Sequence, residues 1–302
     1  MSGATGPLHL VERAARHLRE AAAGEPESVL LPEALAERRE AVAERLDASP
    51  RVLPASEPSA LSGRSAVELA LEALEGAGMI TSRGQRDRIA EEFRIISQQV
   101  LAGMTAAEGP AARRRLVMVT SARPGEGKSF AALNLAANLA LGGARSVVLV
   151  DADIKPGSLS ASLGLAGEPG LLDIVASPAQ LAEAMLVRSR IQALNVLPIG
   201  GGTDPNGRAL ISTHNPIAGL LTALANRLTE SLIIVDAPAC LSSSDPPALA
   251  AIAGQVLLVV EAEKTRRREI EAALDLVDAC PMIKLVLNKT RVSTRETFGI
   301  YS

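Results

Sequence analysis

Residues 116–129 have the sequence LVMVTSARPGEGKS, and this stretch decides how the rest of the chain is organised. Its apolar first half predicts a buried strand, and the glycine-containing turn that follows leads into a helix beginning near Phe130. Gly125 and Gly127 allow backbone N–H groups to turn toward a single anion, and the positive end of the helix adds to that attraction. The stretch therefore predicts a strand, a phosphate-binding loop and a helix.

The loop matches the Walker A pattern except at its first position, where Ala122 replaces glycine. In such a loop Lys128 reaches the β- and γ-phosphates and the hydroxyl of Ser129 binds Mg²⁺. The alternative is an ordinary turn in which Gly-Lys-Ser has no function. The residues expected to bind the nucleotide are Pro124, Gly125, Glu126, Gly127, Lys128, Ser129 and Phe130.

Acidic residues follow two further apolar stretches. Residues 146–150 (SVVLV) are followed by Asp151 and Asp153, and residues 232–235 (LIIV) are followed by Asp236. The carboxyl ends of parallel strands meet at the crevice where ligands bind, so these acids are expected to face the phosphates and to hold Mg²⁺ directly or through water. Taken alone, Asp151 and Asp153 would be interpreted as an ordinary pair of surface residues. Three correctly ordered pieces on three strand ends argue against accident.

The remaining periodicity predicts an α/β fold with a doubly wound, mostly parallel sheet. Asn288 closes the last strand, and we expect it near the base of a nucleotide. Apolar runs predict further strands at 194–199, 255–260 and 283–287, and helical spacing predicts helices at 130–141, 216–230 and 265–279.

The N-terminal part of the chain has a different character. Residues 8–23 and 33–46 predict amphipathic helices with thin apolar faces, and residues 47–63 concentrate proline, serine and glycine as a linker does. We therefore expect a helical, partly flexible region at 1–85 and the nucleotide-binding domain at 86–302. The domain opens with a helix whose apolar face packs on the core or on another subunit.

Composition excludes several classes of function. Three phenylalanines, one tyrosine, no tryptophan and a formal charge of −3 argue against nucleic-acid binding through stacking or a basic surface. Cys240 and Cys280 are too few and too far apart for a disulfide framework or a zinc cluster, which is typical of a reducing cytoplasm. No apolar run approaches the roughly 18 residues of a membrane span, so we expect no direct membrane insertion.

Three stretches together resemble the motifs of one family. PGEGKS, VVLVDADIK and LIIVDAPA resemble the Walker A, second acidic Walker A′ and Walker B motifs of the bacterial tyrosine kinases that control polysaccharide polymerisation and export. Related partitioning and septum-site ATPases carry a lysine directly after the first loop residue. This chain has Arg123 at that position, which favours the kinase interpretation.

The resemblance covers roughly residues 86–302. The stretches LVERAARHLREA and GQRDRIAEEFRII are similar to the exosortase-associated branch of the family. The resemblance implies an ATP- and Mg²⁺-dependent tyrosine autokinase in exopolysaccharide production. It also implies self-association, activation by a Wzz-like membrane chain-length regulator, and a cytoplasmic location held at the inner membrane through that partner.

The family's functional residues map onto matching positions. Lys128, Asp151, Asp153 and Asp236 correspond to the catalytic set, in which Lys128 binds phosphate, Ser129, Asp151 and Asp236 hold the metal, and Asp153 helps to activate the tyrosine hydroxyl. The family's tyrosine-rich C-terminus is reduced here to one tyrosine, so an autokinase of this sequence has Tyr301 as its phosphoacceptor.

The chain also departs from the family pattern. Lys155 stands where the family has arginine, which keeps the charge but not the bidentate geometry. The assembly motif, Glu-x-x-Arg-x-x-Arg, is present as Glu91 and Arg94 followed by Ser97. These departures leave open an alternative of another class, a nucleotide-switched ATPase or regulatory partner that does not phosphorylate tyrosine.

Overall fold

A computed structural model describes the chain at 68–69, 71–76, 78–79, 86–107, 109–143, 145–155, 157–176, 185–201 and 216–290. The helices expected at 8–23 and 33–46, the linker and Tyr301 lie outside these residues.

The strands in chain order are β1 (Glu68–Leu69), β2 (Leu116–Ser121), β3 (Ser146–Asp151), β4 (Val187–Ser189), β5 (Leu194–Leu197), β6 (Ser231–Asp236), β7 (Gln255–Glu261) and β8 (Ile283–Asn288). The helices are α1 (Leu71–Gly76), α2 (Arg86–Ala106), α3 (Ala111–Arg114), α4 (Lys128–Leu141), α5 (Leu159–Ser162), α6 (Leu171–Ala176), α7 (Pro216–Arg227), α8 (Pro246–Ile252) and α9 (Arg267–Leu276), with a 3-10 turn at Cys240–Ser242.

The described strands form one eight-stranded sheet in the order β1-β4-β5-β3-β6-β2-β7-β8. Neighbouring strands run parallel except β4 and β5, whose short connection permits only an antiparallel hairpin. The predicted mostly parallel sheet is confirmed. The strand that carries the phosphate-loop motif, β2, lies inside the sheet between β6 and β7.

Both faces of the sheet are buried, because side chains alternate between two separate apolar cores. In β2, Leu116 and Met118 join the core formed with α6, α7, α8 and α9. Val117 and Val119 join the opposite core, formed with α1, α2, α4 and α5. Burial on both faces explains why the strands read as continuous apolar runs, and it confirms the doubly wound architecture.

Helix α2 packs on the core, as one of the two expectations for this helix had it. The ring of Phe93 meets that of Phe130 edge-on, with centroids 5.8 Å apart. The side-chain amide of Gln255 donates to the carbonyl of Val100 at 2.9 Å, and Lys284 Nζ donates to that of Gln99 at 2.7 Å. Neither α2 nor any other described helix is both long and apolar enough to cross a membrane.

The packed unit begins before residue 86. Strand β1 pairs with β4, and Leu69, Leu74 and Met79 are buried in the same core as α2. The sequence predicts a helix from about Ser65 to Glu75, and the structure has there a two-residue strand followed by a six-residue helix.

A core substitution tests the layered arrangement. Leu149 is fully buried on β3, so Leu149→Ala is expected to lower the free energy of unfolding by about 2–5 kcal/mol through lost burial and a cavity. The matched control is Leu287→Ala on the edge strand β8, where the leucine is 46% exposed. Its expected cost is about 1 kcal/mol or less. Equal losses in urea unfolding would contradict the assignment of β3 to the interior.

Candidate nucleotide site

The loop between β2 and α4 has the backbone of an anion-binding nest. Gly125 and Gly127 adopt left-handed conformations, with φ of 86° and 98°, on either side of Glu126. Alternation of this kind turns successive N–H groups toward one side of the chain. A Cβ at Gly127 would lie 2.1 Å from the side-chain nitrogen of Asn288 and would need a φ of 98°, so the position favours glycine.

Ala122 serves at the first loop position because that position needs no special backbone. The left-handed residues of the loop are the two glycines, and Ala122 is fully buried. Its carbonyl accepts a hydrogen bond from the N–H of Leu241 at 3.1 Å. The departure from the Walker A pattern is therefore compatible with the loop.

The segment that follows β6 contacts the end of β2, just before this loop. Thr120 Oγ1 donates to the carbonyl of Pro238 at 2.7 Å and lies 3.5 Å from the sulfur of Cys240. Cys240 is 1% exposed, and burial raises the pKa of its thiol to about 11. The thiol is therefore protonated and part of the packing.

Lys128 lies at the centre of the site, where it contacts three predicted site residues. Its Nζ is 2.7 Å from Asp153 Oδ2, 3.3 Å from Asp236 Oδ1 and 3.2 Å from Ser129 Oγ. Burial by itself lowers the pKa of Lys128, but the carboxylates of Asp236 and Asp153 outweigh it, and the pKa is raised. The lysine is a buried, permanently charged ammonium held by two acids.

Asp236 is fully buried, and its Oδ2 atom has no hydrogen-bond partner. Burial raises the pKa of this carboxyl to about 7; Lys128 opposes the rise, and the neighbouring Asp151 and Asp153 add to it. An unpartnered buried oxygen is costly, so it is a natural place for a cation or a cation-bound water.

Asp151 lies beside Asp236, but its own carboxylate bonds other residues. The two are register partners across β3 and β6. Asp151 Oδ2 accepts hydrogen bonds from the N–H of Ser160 at 2.7 Å and its hydroxyl at 2.6 Å, while Oδ1 accepts one from the N–H of Asp153 at 3.1 Å. The same hydroxyl accepts the N–H of Ile199 at 2.8 Å. Both oxygens of Asp151 are therefore engaged locally, an orientation that the strand-end pattern cannot reveal.

Magnesium fits this site only together with phosphate. Within the described part of the chain, no three Asp, Glu, His or Cys side chains converge as a metal cluster. Mg²⁺ in proteins characteristically uses one or two carboxylates, several waters and the phosphates of its substrate. The donors present, the Ser129 hydroxyl and the free oxygen of Asp236, match that pattern.

Two of the predicted nucleotide-binding residues use their side chains elsewhere. The carboxylate of Glu126 accepts the N–H of Arg123 at 2.8 Å and the hydroxyl of Thr265, and it is 3% exposed. The ring of Phe130 packs against Phe93. Only the backbone N–H groups of Glu126 and Phe130 are therefore suited to phosphate, whereas Pro124 and Gly125 are exposed at the loop tip.

The end of β8 holds the loop, which the sequence did not indicate. Asn288, which remains expected near the base, donates its side-chain N–H to the carbonyl of Glu126 at 2.8 Å. Lys289 Nζ donates to the carbonyl of Gly125 at 2.7 Å. The available signal was topological: Asn288 ends β8 and Lys289 follows it, and the carboxyl end of β8 meets the same edge of the sheet as that of β2.

The positions that depart from the family pattern have defined surroundings. Lys155 Nζ donates to the hydroxyl of Ser242 at 2.6 Å and to its carbonyl at 3.0 Å, so it joins the segments after β3 and β6. On α2, Glu91 and Arg94 are exposed and pair with each other at 2.8 Å. Ser97 is buried, with an unpartnered hydroxyl.

No protein-family model matches the chain. Individual proteins do. The EpsB protein of Ralstonia solanacearum is 36% identical over 54% of this chain and 21% of its own length. The succinoglycan biosynthesis transport protein ExoP of Rhizobium meliloti is 31% identical over 68% of this chain and 25% of its own length. The chain thus spans about a fifth to a quarter of these curated relatives.

Shorter relatives align over most of their length. The tyrosine-protein kinase YwqD of Bacillus subtilis is 29% identical over 73% of this chain and 93% of its own. Among solved structures, the kinase domain of VpsO is 28% identical, with a TM-score of 0.52 over 66% of this chain and 95% of that domain. By sequence and by fold, the chain is a relative of the bacterial tyrosine-protein kinases and shares the P-loop fold of their kinase domains.

Proposed function

We propose that this chain is a Mg²⁺- and ATP-dependent protein tyrosine autokinase acting in exopolysaccharide production. The observation that carries the proposal is the contact of Lys128 with Asp153 and Asp236 at the end of a glycine nest. A buried ammonium and an unpartnered carboxylate oxygen beside inward-turned N–H groups form a site for a magnesium-bound polyphosphate.

Each residue has a role in this proposal. The loop N–H groups and Lys128 bind the β- and γ-phosphates, and Ser129 and Asp236 hold Mg²⁺, which neutralises phosphate charge when bound. Asp151, whose carboxylate is held by Ser160, adds negative charge beside the residues that hold the metal. Asp153 accepts the phenolic proton as the tyrosine oxygen takes the γ-phosphoryl group and ADP leaves. Nucleotide phosphate would draw Lys128 away from Asp153 and free that carboxylate as a base.

The proposed setting of the protein follows from its relatives. One is named for succinoglycan biosynthesis and transport, which supports a role in polysaccharide export. We propose a cytoplasmic protein that self-associates and reaches the inner membrane through a Wzz-like chain-length regulator, which activates it. Such activation would be a shift of population toward the assembled, ATP-competent state.

A nucleotide-switched ATPase or regulatory partner is the second candidate. Two observations favour it: Lys155 is tied to Ser242 where the family has arginine, and Ser97 is buried where the assembly motif has its second arginine. In this candidate the site binds ATP, while transfer to tyrosine does not occur.

Removing the central ammonium tests the phosphate site. Lys128→Met is expected to weaken ATP binding at least tenfold, about 1.4 kcal/mol, because the ammonium compensates phosphate charge in a buried place. Calorimetric titration with Mg·ATP measures the change. Lys264→Met, at a lysine whose side chain is 74% exposed, is the charge-matched control and should bind ATP as wild type does. Wild-type affinity in Lys128→Met would refute the loop assignment.

Asp236→Asn separates stability from function. Because burial raises the pKa of Asp236 to about 7, the folded state holds a proton that the unfolded state releases near its ordinary value of 3.8. The contribution of Asp236 to wild-type stability therefore falls as pH rises from about 4 to 7 and stays reduced above that range. Without nucleotide or Mg²⁺, the variant is expected to be more stable than wild type at pH 8 by roughly 1–4 kcal/mol, and the gain should vanish toward pH 4.

The matched control is Asp275→Asn, on the exposed face of α9, which should show no such pH-dependent gain. Phosphoryl transfer by Asp236→Asn is expected to fall steeply even though folding is not weakened. A variant that transfers phosphate normally at ordinary Mg²⁺ would contradict the metal role.

The phosphoacceptor can be identified by elimination, because Tyr301 is the one tyrosine of the chain. Mass spectrometry after incubation with ATP and a cytoplasmic segment of the regulator is expected to find phosphate on Tyr301, and Tyr301→Phe should lose it while ATP binding persists. Mixing Lys128→Met with Tyr301→Phe should restore phosphate on the former, since transfer then occurs between chains. Phosphotyrosine in none of the mixtures would favour the ATPase switch.

A further inference from the structure

The carboxyl end of β8 contacts the phosphate-binding loop through two consecutive residues. Asn288 Nδ2 donates to the carbonyl of Glu126 at 2.8 Å, and Lys289 Nζ donates to the carbonyl of Gly125 at 2.7 Å. These carbonyls belong to adjacent peptide units at the heart of the nest. Both hydrogen bonds therefore act on the part of the loop that would bind phosphate.

The planarity of the peptide bond turns these two hydrogen bonds into an orientation. In a trans peptide unit the C=O and N–H groups point in opposite directions. With the carbonyls of Gly125 and Glu126 held toward β8, the N–H groups of Glu126 and Gly127 must point to the other side of the loop. The left-handed glycines make this arrangement possible, and the donors on β8 favour it over a flipped peptide.

Lys289 is itself held in place for this contact. Its φ of 58° lies in the left-handed region, which a non-glycine residue adopts at a cost. Its ammonium also pairs with Glu261 Oε2 at 3.1 Å, at the carboxyl end of β7. Glu261 in turn contacts Lys264 at 2.6 Å. The lysine is thus fixed between the neighbouring strand end and the loop carbonyl.

We infer that Lys289 is a positioning residue that, together with Asn288, keeps the phosphate-binding loop in its anion-accepting orientation before nucleotide arrives. This role rests on the proposed nucleotide site. Lys289 acts through the Gly125 carbonyl, so it lowers the reorganisation that binding requires. The N–H groups that it orients would bind phosphate in ATP and in ADP alike.

Lys289→Met tests the role, since methionine keeps much of the length and removes the donor. Calorimetric titrations of the full chain with Mg·ATP and Mg·ADP are expected to show a similar loss of about tenfold for both nucleotides. Lys289→Arg, which retains a donor, should restore affinity to within about threefold of wild type. The matched control, Lys264→Met, removes the other cationic partner of Glu261 and should leave both affinities unchanged.

A spectroscopic readout separates orientation from general stability. In nucleotide-free protein, the backbone amide resonances of Glu126 and Gly127 should shift in Lys289→Met and remain at wild-type positions in Lys264→Met. Thermal unfolding midpoints of the two variants should agree, which shows that a loss of binding does not come from unfolding.

Several outcomes would overturn the inference. Wild-type affinity in Lys289→Met would show that the loop needs no such donor. A loss for ATP without one for ADP would indicate direct contact with the γ-phosphate, and an equal loss in Lys264→Met would indicate a general charge effect. If wild type bound neither nucleotide, the proposed function itself would fail, and Lys289 would have no nucleotide loop to orient.

Discussion

The ion pairs of Lys128 with Asp153 and Asp236 are the interaction on which the site depends. Each group alone would be costly to bury, because a charge loses its hydration there. Together they are tolerated, although one oxygen of Asp236 still lacks a partner. The parallel register of β3, β6 and β2 makes the arrangement possible, since it brings their carboxyl ends to one edge. The sheet thus brings the ammonium of Lys128 close to the two carboxylates, and a magnesium-bound phosphate can separate them.

Much of this arrangement was predictable, since it depends on backbone periodicity. Continuous apolar runs ending in Asp151 and Asp236 predicted buried parallel strands, and strands place their final residues at a common edge whatever the details of packing. The spacing from Ala122 to Ser129 predicted the turn into α4 in the same way. These features are local, or they follow from topology alone. They required no knowledge of which way a side chain points.

The remainder depends on side-chain direction and on neighbours distant in sequence. The sequence predicted Asn288 near the base of a nucleotide, but not the hydrogen bond of its amide to a carbonyl 162 positions earlier in the chain. Glu126 and Phe130 belong to the motif by position, yet their side chains brace the loop and fill the core. Lys289 carried no motif at all. Such roles depend on tertiary packing, which the spacing of residues along the sequence does not reveal.

The two buried cysteines are built-in probes of local unfolding. Cys240 and Cys280 are 1% and 5% exposed, and burial raises the pKa of both thiols, so a thiol reagent must wait for the surrounding structure to part. Cys240 lies on the segment whose next residue bonds Ala122, at the phosphate edge. Cys280 follows α9 and contacts the carbonyl of Ala253, before β7 begins. The labelling rates of the two thiols therefore report separately on the frequency of local unfolding at opposite ends of one sheet.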